Sequence, residues 1–246
     1  MRVSIFMYRW LLMAPLLLAQ ADVERVFHLS NAKTPQEVYE IATVVRMMTE
    51  IKELTADGAK GTITFQGSPS QGYLADWLMQ QLDGAGSGTA SFKANLEQTE
   101  EQSVQVFFLK NIKPGQDLQQ VAILVRSLTD IRYLMMSAAQ TAMVVRSSLS
   151  QVTLAQWLVS RLDEPQVREN AKYQIPGSPE DTVYLFYLPR ATTAQQLQQA
   201  AVKVRTATGA RRLFTYNSSA VLAIRGTAAQ IAQARELIAQ MPHPAR

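Results

Sequence analysis

The 246-residue sequence contains no cysteine. That excludes disulfides, thiolate metal ligands, a cysteine nucleophile and attachment through a lipidated cysteine. Histidine is nearly as scarce: His28 and His243 are the only two, and neither has a second ligand at metal spacing or a Ser/Asp arrangement beside it. Glycine forms no phosphate loop. Gly58 and Gly61 punctuate a hairpin, and the Gly84, Gly86, Gly88 stretch does not lead from a strand into a helix. Glu37, Glu40, Glu50 and Glu53 sit on or near one helix, where helix-start and solvated-face roles account for them. No catalytic, metal-binding or cofactor-binding residue is assigned, and the expectation is a protein that is not an enzyme, binds no cofactor and has no small-molecule ligand.

A long apolar run is also missing. Trp10 to Leu18 is almost wholly apolar but is broken by Pro15 and falls short of the ~20 residues a spanning helix needs. With Arg2 and Arg9 before it and Ala19-Gln20-Ala21 after it, the segment reads as an export signal over residues 1–21, cleaved after Ala21. The mature chain is then periplasmic; the alternative is an inner-membrane anchor through an uncleaved signal. Strong net charge is absent as well, because removing residues 1–21 leaves 22 basic against 20 acidic residues. Nucleic acid, which needs a concentrated basic face, is not an expected partner.

What is present is repetition. Residues 26–83 slide onto 106–163 by a constant shift of 80 without a gap, placing Leu29, Val45, Arg46, Thr49, Ile51, Leu74, Trp77, Leu82 and Asp83 on identical residue types. A third copy follows at a shift of 79, with Leu188, Leu197, Val204, Arg205 and Thr208 on Leu109, Leu118, Val125, Arg126 and Thr129. Three like units make an array, and an array points to an interaction scaffold rather than to one catalytic pocket.

Each unit opens with an apolar, β-branched and aromatic strand: Val26 to Leu29, Val104 to Leu109, Val183 to Leu188. A helix follows. Thr34, Pro35 and Glu37 mark its start in the first unit, and Val38, Ile41, Ala42, Val45 and Met48 form one apolar stripe. Two short strands joined by a turn come next, Ile51 to Ala56 and Thr62 to Gln66 in the first unit, Arg211 to Tyr216 and Ala220 to Arg225 in the third. A second helix closes the unit, its start marked by the capping-box pairs Ser68/Gln71, Ser148/Gln151 and Thr227/Gln230. The expected fold is α+β: three tandem βαββα units over 22–83, 103–163 and 182–246, separated by linkers 84–102 and 164–181. Each unit is expected to lay its helices on one face of a three-stranded sheet, with edge strands added from the linkers around Phe92 and Tyr173 as the alternative to a plain loop. Trp77 and Trp157 are assigned to the core because they belong to the apolar stripe.

The segments Phe107-Phe108-Leu109-Lys110-Asn111, Val144-Val145-Arg146 and Leu158-Val159-Ser160-Arg161-Leu162-Asp163 resemble the periplasmic ring-building domains of bacterial secretins. Those domains belong to type II secretion, type III secretion and type IV pilus channels. The resemblance implies a periplasmic module that packs with copies of itself or with other envelope proteins. A secretin continues into a β-rich pore segment, whereas here only five residues follow Met241, so no channel is expected. The element order also overlaps with RNA-binding folds of the KH type, but the basic Gly-x-x-Gly loop of those folds is missing.

Five arginines are candidate interface residues. Arg46, Arg126 and Arg205 occupy one position in all three units. Each either caps the end of its helix with its stem over the sheet edge, or reaches a carboxylate such as Asp83 or Asp163 of another unit. Arg211 and Arg212 lie in the basic third unit, where residues 183–246 hold eight basic and one acidic residue, against five basic and nine acidic over 22–83. That asymmetry suggests docking onto an acidic surface: the first unit of another copy, or an anionic membrane surface. An envelope module binding a polysaccharide or peptide is the second functional reading, through the strand edges of each unit.

Overall fold

Residues Thr62–Gly67 (β3) alternate between buried and more exposed positions, whereas their counterparts 80 residues on, Ala142–Ser147 (β7), are buried at all six. A strand that alternates has one face open; a strand buried throughout has both faces covered. The computed structural model, which describes residues 23–84, 86–96, 102–165, 169–188 and 193–241, shows what covers the second face. Residues 1–21, with the export signal, and His243 and Arg190 lie outside the described residues.

The first unit comprises Val23–His28 (β1), Pro35–Thr49 (α1), Glu53–Asp57 (β2), β3 and Pro69–Asp83 (α2). After Gly88–Lys93 (β4) the second runs through Ser103–Phe108 (β5), Gln116–Thr129 (α3), Tyr133–Ser137 (β6), β7 and Leu149–Leu162 (α4). After Ala171–Gln174 (β8) the third runs through Thr182–Tyr187 (β9), Ala194–Thr208 (α5), Arg212–Tyr216 (β10), Val221–Gly226 (β11) and Ala228–Ala239 (α6). The sheets are ordered β1-β3-β2, β4-β5-β7-β6 and β10-β11-β9-β8, with every pairing antiparallel. The expected βαββα units are therefore present. The second and third sheets have four strands rather than three, because β4 and β8, inside the expected linkers, pair along β5 and β9.

Helices cover only one face of each sheet from within the unit, and for the second and third sheets the helices of the preceding unit cover the other. Val104, Val106, Phe108, Tyr133, Ala142 and Val144 of the second sheet share a core with α1 and α2. Their strand neighbours Phe107, Leu134, Met143 and Val145 share the other core with α3 and α4, together with Val183, Leu185, Val221 and Ala223 of the third sheet. The molecule is a stack in the order sheet, helices, sheet, helices, sheet, helices. Units of this size are marginal alone, and docking each sheet on the preceding helices roughly doubles the apolar area that a central layer hides.

Local signals repeat with the array. Thr34, Ser68, Thr193 and Thr227 cap their helices through the backbone N–H three residues on. Ser148 does not: its hydroxyl donates to Gln151 Oε1 at 2.8 Å, so the expected capping box is absent there. At the other end of the first helix, Glu50, Asp130 and Gly209 each adopt a left-handed conformation, with φ of 57°, 61° and 65°. Gln71, Gln151 and Gln230 donate to the carbonyls of Thr49, Thr129 and Thr208, tying the second helix of each unit to the end of the first.

Candidate functional site

The three arginines that share one repeat position close their own units. Nη2 of Arg46 donates to the Leu54 carbonyl, Arg126 to Leu134 at 2.5 Å and Arg205 to Leu213 at 2.7 Å. Each bond joins the last turn of a helix to the strand eight residues on. The carboxylates of Asp83 and Asp163 are engaged elsewhere. Asp83 accepts from the N–H groups of Ser30, Asn31 and Ala32, and Asp163 from those of Lys110, Asn111 and Ile112. These aspartates hold the turn between the first strand and first helix against the end of the second helix.

The charged contacts between units involve Arg212, one of the candidate interface residues, together with Arg146, Arg225, Glu50 and Asp130, which composition and spacing did not mark as interface residues. Register places Arg146 of β7 opposite Tyr133 of β6, on the face that meets α1. Arg146 is fully buried; one guanidinium nitrogen donates to the Met48 carbonyl at the end of α1, and Nη2 lies 2.9 Å from Glu50. Its Cζ lies 3.8 Å from the centroid of the Tyr133 ring, whose hydroxyl donates to the same Glu50 carboxylate at 2.6 Å. Carbonyls at a helix C-terminus carry partial negative charge, so a cation there is favourable, and pairing offsets the cost of burying it. The Tyr133 hydrogen bond, followed by the hydrogen bond and charge of Arg146, holds the Glu50 carboxyl below the usual range for glutamate, against an opposing contribution from burial.

The same three positions recur one layer on. Arg225 stands where Arg146 stands, Arg212 where Tyr133 stands, and Asp130 where Glu50 stands. Arg225 donates to the Leu128 carbonyl at 2.5 Å and lies 3.4 Å from Asp130, while Arg212 donates to Asp130 at 2.7 Å. Asp181, on the incoming unit, adds Nε and Nη2 bonds of 3.0 and 2.6 Å to Arg225, and these keep that guanidinium protonated beyond its ordinary range. Arg212 thus serves an interface inside the chain. Arg211 is exposed and, with Asp181, Gly209, Arg212, Arg225 and Gln230, lines a cleft of about 350 Å³.

Aromatic pairs mark the other side of each interface. Trp77 of α2 meets Phe92 of β4 with ring centroids 5.1 Å apart, and Trp157 of α4 meets Tyr173 of β8 at 5.3 Å. The two tryptophans are therefore packed between units, not buried inside one. A groove of about 660 Å³ borders the first pair and is lined by Tyr73, Asp76, Trp77, Phe92 and Lys93 among others. Among the described residues no group of three or more His, Asp or Glu side chains is placed to hold a metal, and no helix is long and apolar enough to cross a membrane. The repeat alignment carried a signal for the missed residues, because a shift of 80 or 79 pairs Glu50 with Asp130 and Arg146 with Arg225.

No family model and no curated protein matches this chain. Among solved structures, the chain is similar to the N-terminal domain of the secretin XcpQ from Pseudomonas aeruginosa, at 13% identity over 88% of this chain and 98% of that one, with a TM-score of 0.27. It is similar to ExeD of Aeromonas hydrophila at 13% identity over 90% of this chain, with a TM-score of 0.23. It is also similar to GspD in the pilotin–secretin AspS–GspD complex of ETEC, at 15% identity over 90% of this chain, again with a TM-score of 0.23. The chain spans 41% of ExeD and 38% of the GspD chain. With TM-scores this low, the α+β assignment rests on the element order and strand registers themselves.

Proposed function

We propose that the chain is a non-enzymatic assembly scaffold of a bacterial envelope secretion or pilus system, exported through residues 1–21 and built of three domains over 22–83, 103–163 and 182–246. The observation that carries this reading is where the charged and aromatic side chains go. Arg146, Arg225, Glu50, Asp130, Trp77 and Trp157 are all used in contacts between layers. A rod of docked modules presents its strand edges and loops at set spacings, which suits a protein that positions other proteins. The segments resembling secretin ring-building domains supply the system; envelope proteins or further copies of the chain are the partners.

In-cell cross-linking with mass spectrometry of the captured proteins tests this. Recovery of secretion or pilus components is expected; recovery of the chain alone under secreting conditions overturns the reading. A peptide- or polysaccharide-binding module is the second reading, favoured by the aromatic groove beside Tyr73, Trp77 and Phe92. Thermal shifts with cell-wall fragments or extended peptides distinguish it.

A further inference from the structure

Positions buried on α1 and α3 but exposed on α5 identify the surface that a following layer covers. Val38, Ile41, Ala42, Val45 and Thr49 are buried, as are their counterparts in both other units, so they face their own sheet. Val44 and Met48 are also buried, as are Leu124 and Leu128, but the corresponding Lys203 and Ala207 of α5 are exposed. Two further acceptor positions change in the same unit. The acid at the end of the first helix, Glu50 or Asp130, becomes Gly209, and the tryptophan of the second helix, Trp77 or Trp157, becomes the exposed Glu236.

The first sheet shows the reciprocal change. Where the second sheet buries Val104, Val106 and Phe108, the first has Glu24, Val26 and His28, all exposed. Ala142, Val144 and Arg146 become Thr62, Thr64 and Gln66, and Tyr133 and Met135 become Glu53 and Thr55. Neither hydrogen-bond donor of the interface survives as a cation or phenol, and Glu53 is an acid where a donor is required.

We infer that the stacking interface is capped at both ends of the array, so that copies of this chain do not add end to end through it. This rests on the scaffold reading only for its setting; the capping stands on the residues themselves. The charge asymmetry alone suggests that the basic third unit docks on the acidic first unit of another copy. Opposite charge without the apolar platform is a weak, salt-screened attraction, because exposed ion pairs contribute ~0–1 kcal/mol each. Furthermore, Arg212 and Arg225 already pair with Asp130 on the side of the third unit that faces the second.

Two full-length variants test the inference. One carries Glu53→Tyr, Thr64→Val and Gln66→Arg, restoring a donor face on the first sheet. The other carries Lys203→Leu, Ala207→Leu, Gly209→Asp and Glu236→Trp, restoring an acceptor face on the third unit. Gly209→Asp is sterically admissible: no atom lies within 4 Å of a Cβ there, and Asp130 already holds φ 61° at the same repeat position. With each variant shown to be folded by circular dichroism and melting, sedimentation should give single chains for the wild type and roughly doubled mass for the equimolar mixture. A mixture of folded variants that stays at single-chain mass overturns the inference. So does wild-type self-association that Thr64→Arg or Lys203→Glu abolishes. Wild-type association that both substitutions leave intact runs through the sides and supports capping.

Discussion

Between the first and second layers a single, fully buried arginine meets a glutamate with the help of a tyrosine hydroxyl. Between the second and third layers two arginines share one aspartate, and a second aspartate from the incoming unit backs one of them. The backbone positions are equivalent, and in both the guanidinium ends on a carbonyl of the preceding helix. What is retained is a donor pair opposite a helix C-terminus; which donors serve is exchangeable. The arginine of the first interface is the more deeply buried, with no exposed side-chain area for Arg146 against 14% for Arg225.

That difference sets the sizes of the expected effects. Arg146→Ala leaves the Met48 carbonyl unmatched, and a cavity under Tyr133, at a cost of about 3 kcal/mol. Arg225→Ala should cost about half as much, roughly 1.5 kcal/mol, because Arg212 still serves Asp130 and Asp181 regains water. Urea denaturation of both variants reads the order, and equal losses would break the distinction between the interfaces. Trp77→Ala and Trp157→Ala should each cost about 2 kcal/mol, at or below the low end for aromatic truncation because both side chains are only partly buried. Glu236→Ala, at the corresponding place on the free end, should fall within about 0.5 kcal/mol, as exposed substitutions do. Thermal unfolding of the three variants separates internal from terminal faces.

Acidification should act on the first interface through Glu50. Its carboxyl is held below its ordinary value of 4.5 in the folded chain, so the unfolded state binds the proton more readily. The resulting stability is present above the unfolded pKa and is lost as pH falls through the lower, folded one. The stability difference between wild type and Glu50→Gln should therefore shrink as pH drops below about 4.5, and a difference independent of pH would contradict the pairing. A similarly small effect belongs to Arg212 and Asp130, both side chains being more than 40% exposed. A double-mutant cycle should give ~0.2–1 kcal/mol at low salt and less at 1 M, where the Debye length is only about 3 Å.

Much of the fold was legible in the residues. Val38, Ile41, Ala42 and Val45 announce a helix, Thr227 with Gln230 announces its successor, and the shifts of 80 and 79 announce three units. The fourth strands were legible only as an alternative around Phe92 and Tyr173, since Gly88–Lys93 and Ala171–Gln174 are short and are held by pairing along β5 and β9, not by a pattern of their own. Ser148 carries the signature of a cap, yet its hydroxyl turns to the Gln151 side chain. Glu50 reads as a solvated helix carboxylate until Tyr133 and Arg146 arrive from residues more than 80 positions away.

Periodicity and capping act within a few residues, which is why the order of strands and helices in each unit follows from sequence alone. Repetition extends that result to the whole chain, and the run of polar residues at Thr62, Thr64 and Gln66 already distinguishes the first copy from the others. Which face of a sheet is buried, which carbonyl an arginine reaches and where stacking stops depend on contacts between layers. Those contacts exist only once the units have docked, because a guanidinium can be buried only where a helix end and a carboxylate have been brought to meet it.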